Sequence, residues 1–358
     1  MRQEFEKDHH HTALDRLFRY AEFLKFGEVH IKFDHATGLR AIIAIHNSKR
    51  GPALGGCRLV HYATSDDALE DALRLAHMMS LKAAISNLPH GGAKAVLLLP
   101  SHEIHDRKKY MEVFAGFVQD LNGRYITAVD SGTDTSDMNI IATITSYVSG
   151  YATANDDGNP SPYTGFGVRR GIEAAVKFRL GKDNLEGIHV AIQGVGHAGY
   201  ALAKELHAAG ARLTLADVNQ PMLERCAAEF GATICPPNAI YDVVADVFAP
   251  CAFGSILNLE TIKRLRVPIV AGSANNQLAH QHYSVVLREH NILYAPDFVI
   301  NSGGLIYCAA MYAHADPAKA RIQVGGLYDT LMTIFNRSHL ENRSTSEIAE
   351  MIALEALR

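Results

Sequence analysis

Short apolar runs, separated by amphipathic or glycine-rich stretches, make up the first half of the chain. Three of them, Ala41–Ile45, Ala95–Leu99 and Tyr125–Val129, have the length of buried strands, and the first two are continuously apolar. The third leads directly into Asp130. Strands that alternate with helices favour an α/β arrangement, in which parallel sheets are covered on both faces.

One long amphipathic helix is predicted from about Ser65 to Ser86. Thr64 and Asp67 have the spacing of a capping box at its start. Its apolar stripe, with spacings of three and four, consists of Leu69, Ala72, Leu73, Ala76 and Met79. We expect a glycine turn at Gly51–Gly56 before this helix, and we expect Pro89 and Gly91–Gly92 to end it.

The second half repeats the alternation of strands and helices after a stretch rich in turn formers, Asn155–Tyr163, which predicts a domain boundary. Predicted helices lie at Gly167–Phe178, Ala198–Ala209 and Pro221–Phe230, with mostly helical sequence in Leu327–Arg358. Predicted strands lie at Ile188–Gln193, Arg212–Ala216, Asp246–Phe248, Val267–Ala271 and Ile292–Ala295.

The expected fold class is therefore α/β with two domains. An N-terminal α/β domain with a mostly parallel sheet takes residues 1–150 plus 336–358, and a Rossmann-like, doubly wound domain takes residues 151–335. A cleft is expected to separate them.

Composition excludes several classes of protein. The net charge is −4 and no basic block stands out, so a nucleic-acid or anionic-membrane partner is not expected. No run approaches the ~20 apolar residues of a membrane helix, and the polar N-terminus has no apolar signal core, so we expect a cytoplasmic protein. The five scattered cysteines are expected to be reduced. His9–His11 reads as a solvated terminus or a cloning remnant, and no metal site is expected.

A dinucleotide fingerprint follows the strand at Ile188–Gln193. Gly194, Gly196 and Gly199 form a G-x-G-x-x-G pattern that opens a helix, and Asp217 ends the next strand. In this context the glycines permit a tight turn, a close approach of the pyrophosphate and close packing of helix on strand. Asp217 can accept hydrogen bonds from the ribose hydroxyls and would repel a 2′-phosphate, which favours NAD over NADP.

The first half carries a second set of chemical residues. Lys82 lies on the apolar side of the long helix, Lys94 follows a Gly-Gly-Ala run, and Asp130 ends a strand. One ammonium can pair with a substrate carboxylate, and a second, desolvated lysine nearby can act as a general base towards water. A carboxylate beside them can move protons on an amine. This combination suits 2-amino acids, although each residue alone also fits a structural role.

Motifs along nearly the whole chain resemble the glutamate/leucine/phenylalanine/valine dehydrogenase family, and within it the leucine dehydrogenases. The matching segments are GPALGG at Gly51, LNGRYITA at Leu121, PPNAIY at Pro236, DVFAPCA at Asp246, AGSANNQL at Ala271 and YAPDFVINSGG at Tyr294. The resemblance implies NAD-dependent oxidative deamination of an aliphatic L-amino acid to its 2-oxo acid and ammonium by a homo-oligomer.

The resemblance also implies roles for residues of the first domain. Lys82 would bind the substrate α-carboxylate, Lys94 would activate water, and Asp130 would move protons on the amine. Leu54, Gly55 and Ala128 would shape the substrate site, and Leu54 stands where glutamate-specific members carry a lysine.

In the second domain the resemblance implies contacts with the nicotinamide half of the cofactor. Thr164 and Asn301 would reach the nicotinamide or the substrate, and Ala274 with Asn275 would lie beside the nicotinamide ribose. The pattern around Asp130 departs from that of leucine dehydrogenases, since Val129, Ser131 and Asp134 replace a glutamate, a valine and a threonine. An enzyme that prefers phenylalanine, valine or tryptophan, and a catalytically silent NAD-binding regulator, therefore remain alternatives.

Overall fold

The computed structural model describes residues 13–99, 104–154, 156–252 and 254–357. His9–His11 lie outside the described residues. The chain divides into two compact units. The first comprises residues 1–159, 308–317 and 356–358, and the second comprises residues 160–307 and 318–355. The main division falls between Asn159 and Pro160, inside the turn-rich stretch. Residues 336–355, expected in the first domain, group with the second unit instead.

Four helices and a five-stranded sheet are described in the first part of the chain. The strands are β1 (Glu28–Asp34), β2 (Leu39–Asn47), β3 (Ala53–Val60), β4 (Gly91–Leu98) and β5 (Tyr125–Val129). The helices are α1 (Ala13–Leu24), α2 (Ser65–Ile85), α3 (Arg107–Asp120) and α4 (Thr135–Ala142).

The sheet of the first unit is mixed. Its order is β1-β2-β4-β3-β5, and β3 pairs in parallel with both β4 and β5. The hairpin partner β2 pairs antiparallel with β1 and with β4, so it alone runs against the other described strands of this sheet. The expectation of a mostly parallel sheet holds for the strand directions, whereas two of the four pairings are antiparallel because β1 and β2 form a hairpin.

Two apolar layers cover the sheet, as the alternation of strands and helices predicts. On one face, buried residues of β2, β3 and β4 pack with Tyr110, Phe114 and other residues of α3. On the other face, Ile42 and Val96 pack with Ala72 and Leu73 of α2. The predicted long helix and its Thr64–Asp67 capping box are confirmed, because both reciprocal hydrogen bonds of the box form.

The expected glycine turns proved to be largely strand. β3 begins at Ala53 and β4 at Gly91, so Gly55 and Gly92 lie within strands. The physical reason is close packing of backbones. A Cβ at Gly55 would lie 1.7 Å from the carbonyl oxygen of Ala93, and one at Gly92 would lie 2.0 Å from the amide nitrogen of Ser80. Glycine therefore serves here to bring strands and helix α2 together.

The second sheet is entirely parallel, with the order β11-β10-β9-β6-β7-β8. Its strands are β6 (His189–Gln193), β7 (Arg212–Ala216), β8 (Thr233–Ile234), β9 (Val247–Pro250), β10 (Ile269–Val270) and β11 (Leu293–Tyr294). The order reverses at β6, the strand that precedes the glycine fingerprint, as in doubly wound dinucleotide-binding folds. The predicted Rossmann-like architecture is confirmed.

Ten further helices are described in the second part of the chain. They are α5 (Ser161–Leu180), α6 (His197–Ala208), α7 (Gln220–Phe230), α8 (Leu259–Arg264), α9 (Tyr283–Glu289), α10 (Asp297–Ile300), α11 (Gly303–Tyr312), α12 (Pro317–Gly325), α13 (Leu327–Glu341) and α14 (Thr345–Ala356). The aromatic rings of Phe178 on α5 and Phe335 on α13 pack 5.5 Å apart, which ties the C-terminal helices to the second unit. Among the described helices, none is long and apolar enough to cross a membrane.

A pair of histidines lies between α1, α2 and the first sheet. The ring of His46 bonds to Ser80 Oγ at 2.7 Å and to the carbonyl oxygen of Leu24 at 2.8 Å. His77 Nδ1 lies 3.2 Å from His46 Nε2. Burial, with the neighbouring His46, lowers the pKa of His77 to about 4. Both rings are therefore neutral in the folded protein at neutral pH.

We expect His77 to make the folded protein sensitive to acid. As pH falls from about 6.5 towards about 4, the unfolded chain binds a proton that the folded chain does not, so the free energy of unfolding decreases. His77→Gln should reduce this decrease by on the order of 1–3 kcal/mol. The measurement is thermal or denaturant unfolding at pH 7.5 and pH 5, with His35→Gln, an exposed histidine, as the matched control. Equal acid sensitivity of wild type and His77→Gln would contradict the assignment.

Candidate active site and cofactor-binding turn

Two of the predicted catalytic residues meet on the α2-facing side of the first sheet. Lys94 Nζ lies 2.9 Å from Asp130 Oδ2, and the side chain of Lys94 is only 6% exposed. β3 separates the strands that carry them, and Gly56 of β3 pairs with Ala128 just before Asp130. A Cβ at Gly56 would lie 2.8 Å from Asp130 Cβ. The absence of a side chain at Gly56 therefore leaves room for the side chain of Asp130.

Asp130 is a buried anion with two cationic partners. Arg58 Nε donates a hydrogen bond of 2.9 Å to the same oxygen, Oδ2, that pairs with Lys94. Burial by itself raises the pKa of Asp130, but the charges and hydrogen bonds of Lys94 and Arg58 outweigh it and lower the pKa. The carboxylate is therefore ionised at neutral pH and can accept a proton.

Arg58 and Asp71 are members of this cluster that the sequence analysis did not select. Arg58 NH1 donates to Asp71 Oδ2 at 2.9 Å, and Asp71 also accepts from Tyr62 and Arg74 at 2.7 Å each. The available signal was an arginine within a strand of apolar and glycine residues. Such a position requires a buried anionic partner.

The predicted substrate-binding residues of the first unit occupy β3, β5 and α2, and the remaining one, Asn301, lies in the second unit. Leu54, 1% exposed, lies on the same face of β3 as Arg58, and Ala128 on β5 is 5% exposed. Gly55 is in β3 instead of the expected loop, and its carbonyl oxygen accepts a hydrogen bond from Tyr125. Lys82 lies half-buried in the last turn of α2.

The three departures around Asp130 have local structural roles or lie exposed. Asp134 caps α4 and forms a reciprocal capping box with Asp137. Val129 packs against the apolar layer beneath the sheet, and Ser131 is exposed, with its carbonyl oxygen bonded to the amide of Leu59. The ion pair between Lys94 and Asp130 therefore forms although these three neighbouring residues differ.

In the second unit the glycine fingerprint forms the expected turn between β6 and α6. Gly194 has φ +95°, and a Cβ at Gly199 would lie 2.0 Å from the carbonyl oxygen of Gly194. By contrast, a Cβ at Gly196 would meet no described atom within 4 Å. Gly196 is the N-cap of α6 and makes no side-chain cap hydrogen bond. The helix therefore offers N–H groups and the positive end of its dipole to an anion.

Asp217 lies directly after β7, next to this turn. Its Oδ2 accepts a hydrogen bond of 2.6 Å from the amide of Val195, and its Oδ1 accepts one of 2.8 Å from the amide of Asn219. Asp217 thus fixes the glycine turn besides presenting an anionic group at the strand end. Open space at Gly196, an uncapped helix start and this carboxylate fit a dinucleotide.

Three of the other predicted cofactor residues, Ala274, Asn275 and Asn301, lie together in this unit. Asn301 Nδ2 donates to Asn275 Oδ1 at 2.7 Å and lies 3.4 Å from the carbonyl oxygen of Ala274. Thr164 on α5 lies near the start of α11, since a Cβ at Gly304 would lie 2.8 Å from Thr164 Oγ1. Lys94 and Asp130 therefore lie together in the first unit, whereas the predicted cofactor residues lie in the second.

Two family models and a solved structure match this chain. The model of the Glu/Leu/Phe/Val dehydrogenase dimerisation domain matches residues 25–147, and the model of the Glutamate/Leucine/Phenylalanine/Valine dehydrogenase domain matches residues 215–318. The L-tryptophan dehydrogenase structure from Nostoc punctiforme superposes with a TM-score of 0.81 at 38% identity, covering 95% of this chain and 98% of that chain.

Two curated relatives match over almost the full chain. A leucine dehydrogenase from Thermoactinomyces intermedius is 44% identical over 96% of this chain and 93% of its own length. A leucine dehydrogenase from Bacillus cereus is 43% identical over 95% and 93%. The chain therefore belongs to the glutamate/leucine/phenylalanine/valine dehydrogenase family and is an amino-acid dehydrogenase.

Proposed function

We propose that this protein catalyses the NAD-dependent, reversible oxidative deamination of a branched-chain aliphatic L-amino acid, leucine above all, to its 2-oxo acid and ammonium. The observation that carries the proposal is the buried Lys94–Asp130 pair, with 2.9 Å between Nζ and Oδ2. In this proposal Lys94 is the base for water and Asp130 is the proton carrier for the amine, and their proximity supports the assignment. Two leucine dehydrogenases among the relatives support leucine as the substrate.

Three side chains of the first unit divide the chemistry. Lys82 holds and orients the substrate carboxylate through its ammonium group. Asp130 takes a proton from the substrate ammonium, which gives the neutral amine whose lone pair assists the loss of hydride from Cα. NAD, when bound, accepts this hydride. Loss of the hydride thereby converts the amine of the substrate into an iminium, with a double bond between Cα and nitrogen.

Hydrolysis of the iminium uses the same pair. Lys94 removes a proton from water as the oxygen adds to Cα. Asp130 returns its proton to the nitrogen, and the C–N bond then breaks as the hydroxyl becomes a carbonyl and releases its proton to solvent. Fixed charges that need no rearrangement supply most of the stabilisation.

The predicted cofactor-binding residues of the second unit would hold NAD. The uncapped start of α6 and Gly196 would receive the pyrophosphate, and Asp217 would accept hydrogen bonds from the adenosine ribose. Asn301, Thr164, Ala274 and Asn275 would position the nicotinamide half.

Substrate choice in this proposal rests on Leu54. Its buried apolar side chain gives a substrate carboxylate no partner, and desolvating that carboxylate would cost several kcal/mol. An isobutyl group would instead gain about 1.5–3 kcal/mol from burial. An aromatic L-amino acid is the second candidate, because an L-tryptophan dehydrogenase also matches over most of the chain.

A homo-oligomer in the cytoplasm completes the proposal. The first unit matches a model described as a dimerisation domain, and its edge strand β1 exposes Ile31 and Phe33 by 52% and 64%. Exposed apolar side chains on an edge strand are typical of a surface that another subunit covers.

The function is tested by following NADH formation with a panel of L-amino acids and with Lys94→Ala. Wild type should oxidise leucine, isoleucine and valine. Lys94→Ala should still bind NADH but lose about 10²–10⁴-fold in kcat, the usual cost of removing a general base. Lys108→Ala, an exposed lysine, is the matched control. A Lys94→Ala variant with more than about a tenth of wild-type turnover would remove Lys94 from the mechanism.

The cofactor turn is tested by two glycine substitutions with opposite expectations. Gly199→Ala forces a Cβ against the carbonyl oxygen of Gly194 and should lower stability by at least about 2 kcal/mol. Gly196→Ala meets open space, so its thermal stability should match wild type, while NADH affinity should fall at least about tenfold because backbone and pyrophosphate cannot approach. Unfolding curves and NADH fluorescence titrations decide. Unchanged affinity in Gly196→Ala would contradict the proposed phosphate position.

Substrate choice is tested by comparing kcat/KM values. Wild type should favour leucine over glutamate by at least about 100-fold, since desolvation and burial act in the same direction. Leu54→Ala should shift the phenylalanine-to-leucine ratio upwards by roughly tenfold, the value of a few methylene groups in a pocket. Leu59→Ala, on the same strand but in the α3-side core, should lose stability and keep the ratio. A preference for glutamate, or an unchanged ratio in Leu54→Ala, would overturn this assignment.

A further inference from the structure

The carboxylate at the centre of the proposed mechanism is held by more than its catalytic partner. We propose that Arg58, anchored by Asp71, is a positioning residue that fixes Oδ2 of Asp130 and keeps this carboxylate paired while Lys94 changes its charge. The inference rests on the proposed function, because it concerns the same reaction.

The contacts form one chain across the sheet and helix α2. Arg58 lies between two carboxylates, with Nε 2.9 Å from Asp130 Oδ2 and NH1 2.9 Å from Asp71 Oδ2. The three side chains are 15–17% exposed, so water contributes little to their solvation. Asp71 is in turn fixed by Tyr62 and Arg74. Arg58 therefore has a defined position before any substrate binds.

The reaction itself creates the need for a second cation. Lys94 must be neutral before it removes a proton from water, and while it is neutral it no longer balances the charge of Asp130, which stays ionised until the amine proton is transferred. A buried carboxylate without a cation is strongly disfavoured and would take up a proton. An arginine cannot lose its proton in a protein. Arg58 thus remains charged throughout and keeps Asp130 ready to accept a proton from the amine.

Arginine is also the side chain whose shape fits this position. The planar guanidinium offers donors in fixed directions, so one group can bond two carboxylates at once. A lysine could pair with one of them. Burial opposes the charge of Arg58, yet the charges of Asp130 and Asp71 outweigh burial and raise its pKa.

The geometry also assigns separate tasks to the two oxygens of Asp130. Lys94 and Arg58 both contact Oδ2. Oδ1 takes part in neither contact, and we assign it to the substrate amine. Other titratable groups that sense this carboxylate are neutral, because burial raises the pKa of Cys57 to about 11 and raises that of Tyr125 well above its ordinary value. The pairing therefore depends on Lys94 and Arg58.

The test compares Arg58→Met, Arg58→Lys and Asp71→Asn with wild type and with Arg74→Met. Arg74 is the matched control, since it bonds Asp71 but makes no contact with Asp130. Two readouts are needed. The first is the pH dependence of kcat and KM with leucine. The second is infrared titration of the Asp130 carboxyl in ¹³C-aspartate protein, taken as a difference against Asp130→Asn, which requires no turnover.

Arg58→Met should lower kcat by roughly 10–100-fold, the range typical of partners that orient a reacting group, while KM for leucine changes by less than about threefold. The acid limb of kcat/KM and the infrared titration of Asp130 should both move to higher pH. Arg58→Lys should recover part of the loss. Asp71→Asn should shift both readouts in the same direction by less, and Arg74→Met, which removes only one of the bonds that hold Asp71, should shift them least.

The two proposals fail in different ways. A wild-type chain that oxidises no amino acid would contradict the proposed function, while the infrared titration would still decide the role of Arg58. A folded Arg58→Met with an unshifted Asp130 titration would overturn that role. The same holds if Arg74→Met shifts the titration as much as Arg58→Met does.

Discussion

A buried carboxylate that must stay ionised is the constraint on which the first unit depends. Taking Asp130 out of water is costly unless cations replace the water. Lys94 and Arg58 supply them at 2.9 Å each, and they reach the same oxygen from two adjacent strands. The parallel pairing of β3 with β4 and β5 brings all three residues to one face. The order and register of these strands therefore bring Lys94, Arg58 and Asp130 together.

The glycines around this cluster follow from the same constraint. Gly56 leaves room beside the Asp130 side chain, Gly92 lets α2 approach β4, and Gly55 allows β3 to lie against Ala93. Each position would bring a Cβ within 3 Å of another atom. Because these positions have no side chain, the neighbouring backbones approach closely. The long side chains of Lys94 and Arg58 can then reach the carboxylate of Asp130, which follows β5.

The second unit is built around a different type of sheet. All its strands are parallel, so their carboxyl ends and the following loops lie at one edge, where helix α6 begins. In the proposed complex, backbone N–H groups at this edge would bind the phosphates of NAD. This explains why Gly196 is open while Gly199 is packed, and why Asp217 serves both the turn and the ribose in the proposed complex.

Local patterns in the sequence determined the strands at Tyr125 and Arg212, helix α2 with its cap, and the fingerprint at Gly194, because neighbours along the chain set these features. They also identified Lys94 and Asp130 as chemically unusual positions. Only the tertiary structure decided that Gly55 and Gly92 lie in strands, since their steric partners are distant along the chain. The hydrogen bond from Arg58 to Asp130 joins residues 72 positions apart, and Asp71, which also bonds Arg58, lies on another element. Such contacts depend on strand order and register, which no local periodicity encodes.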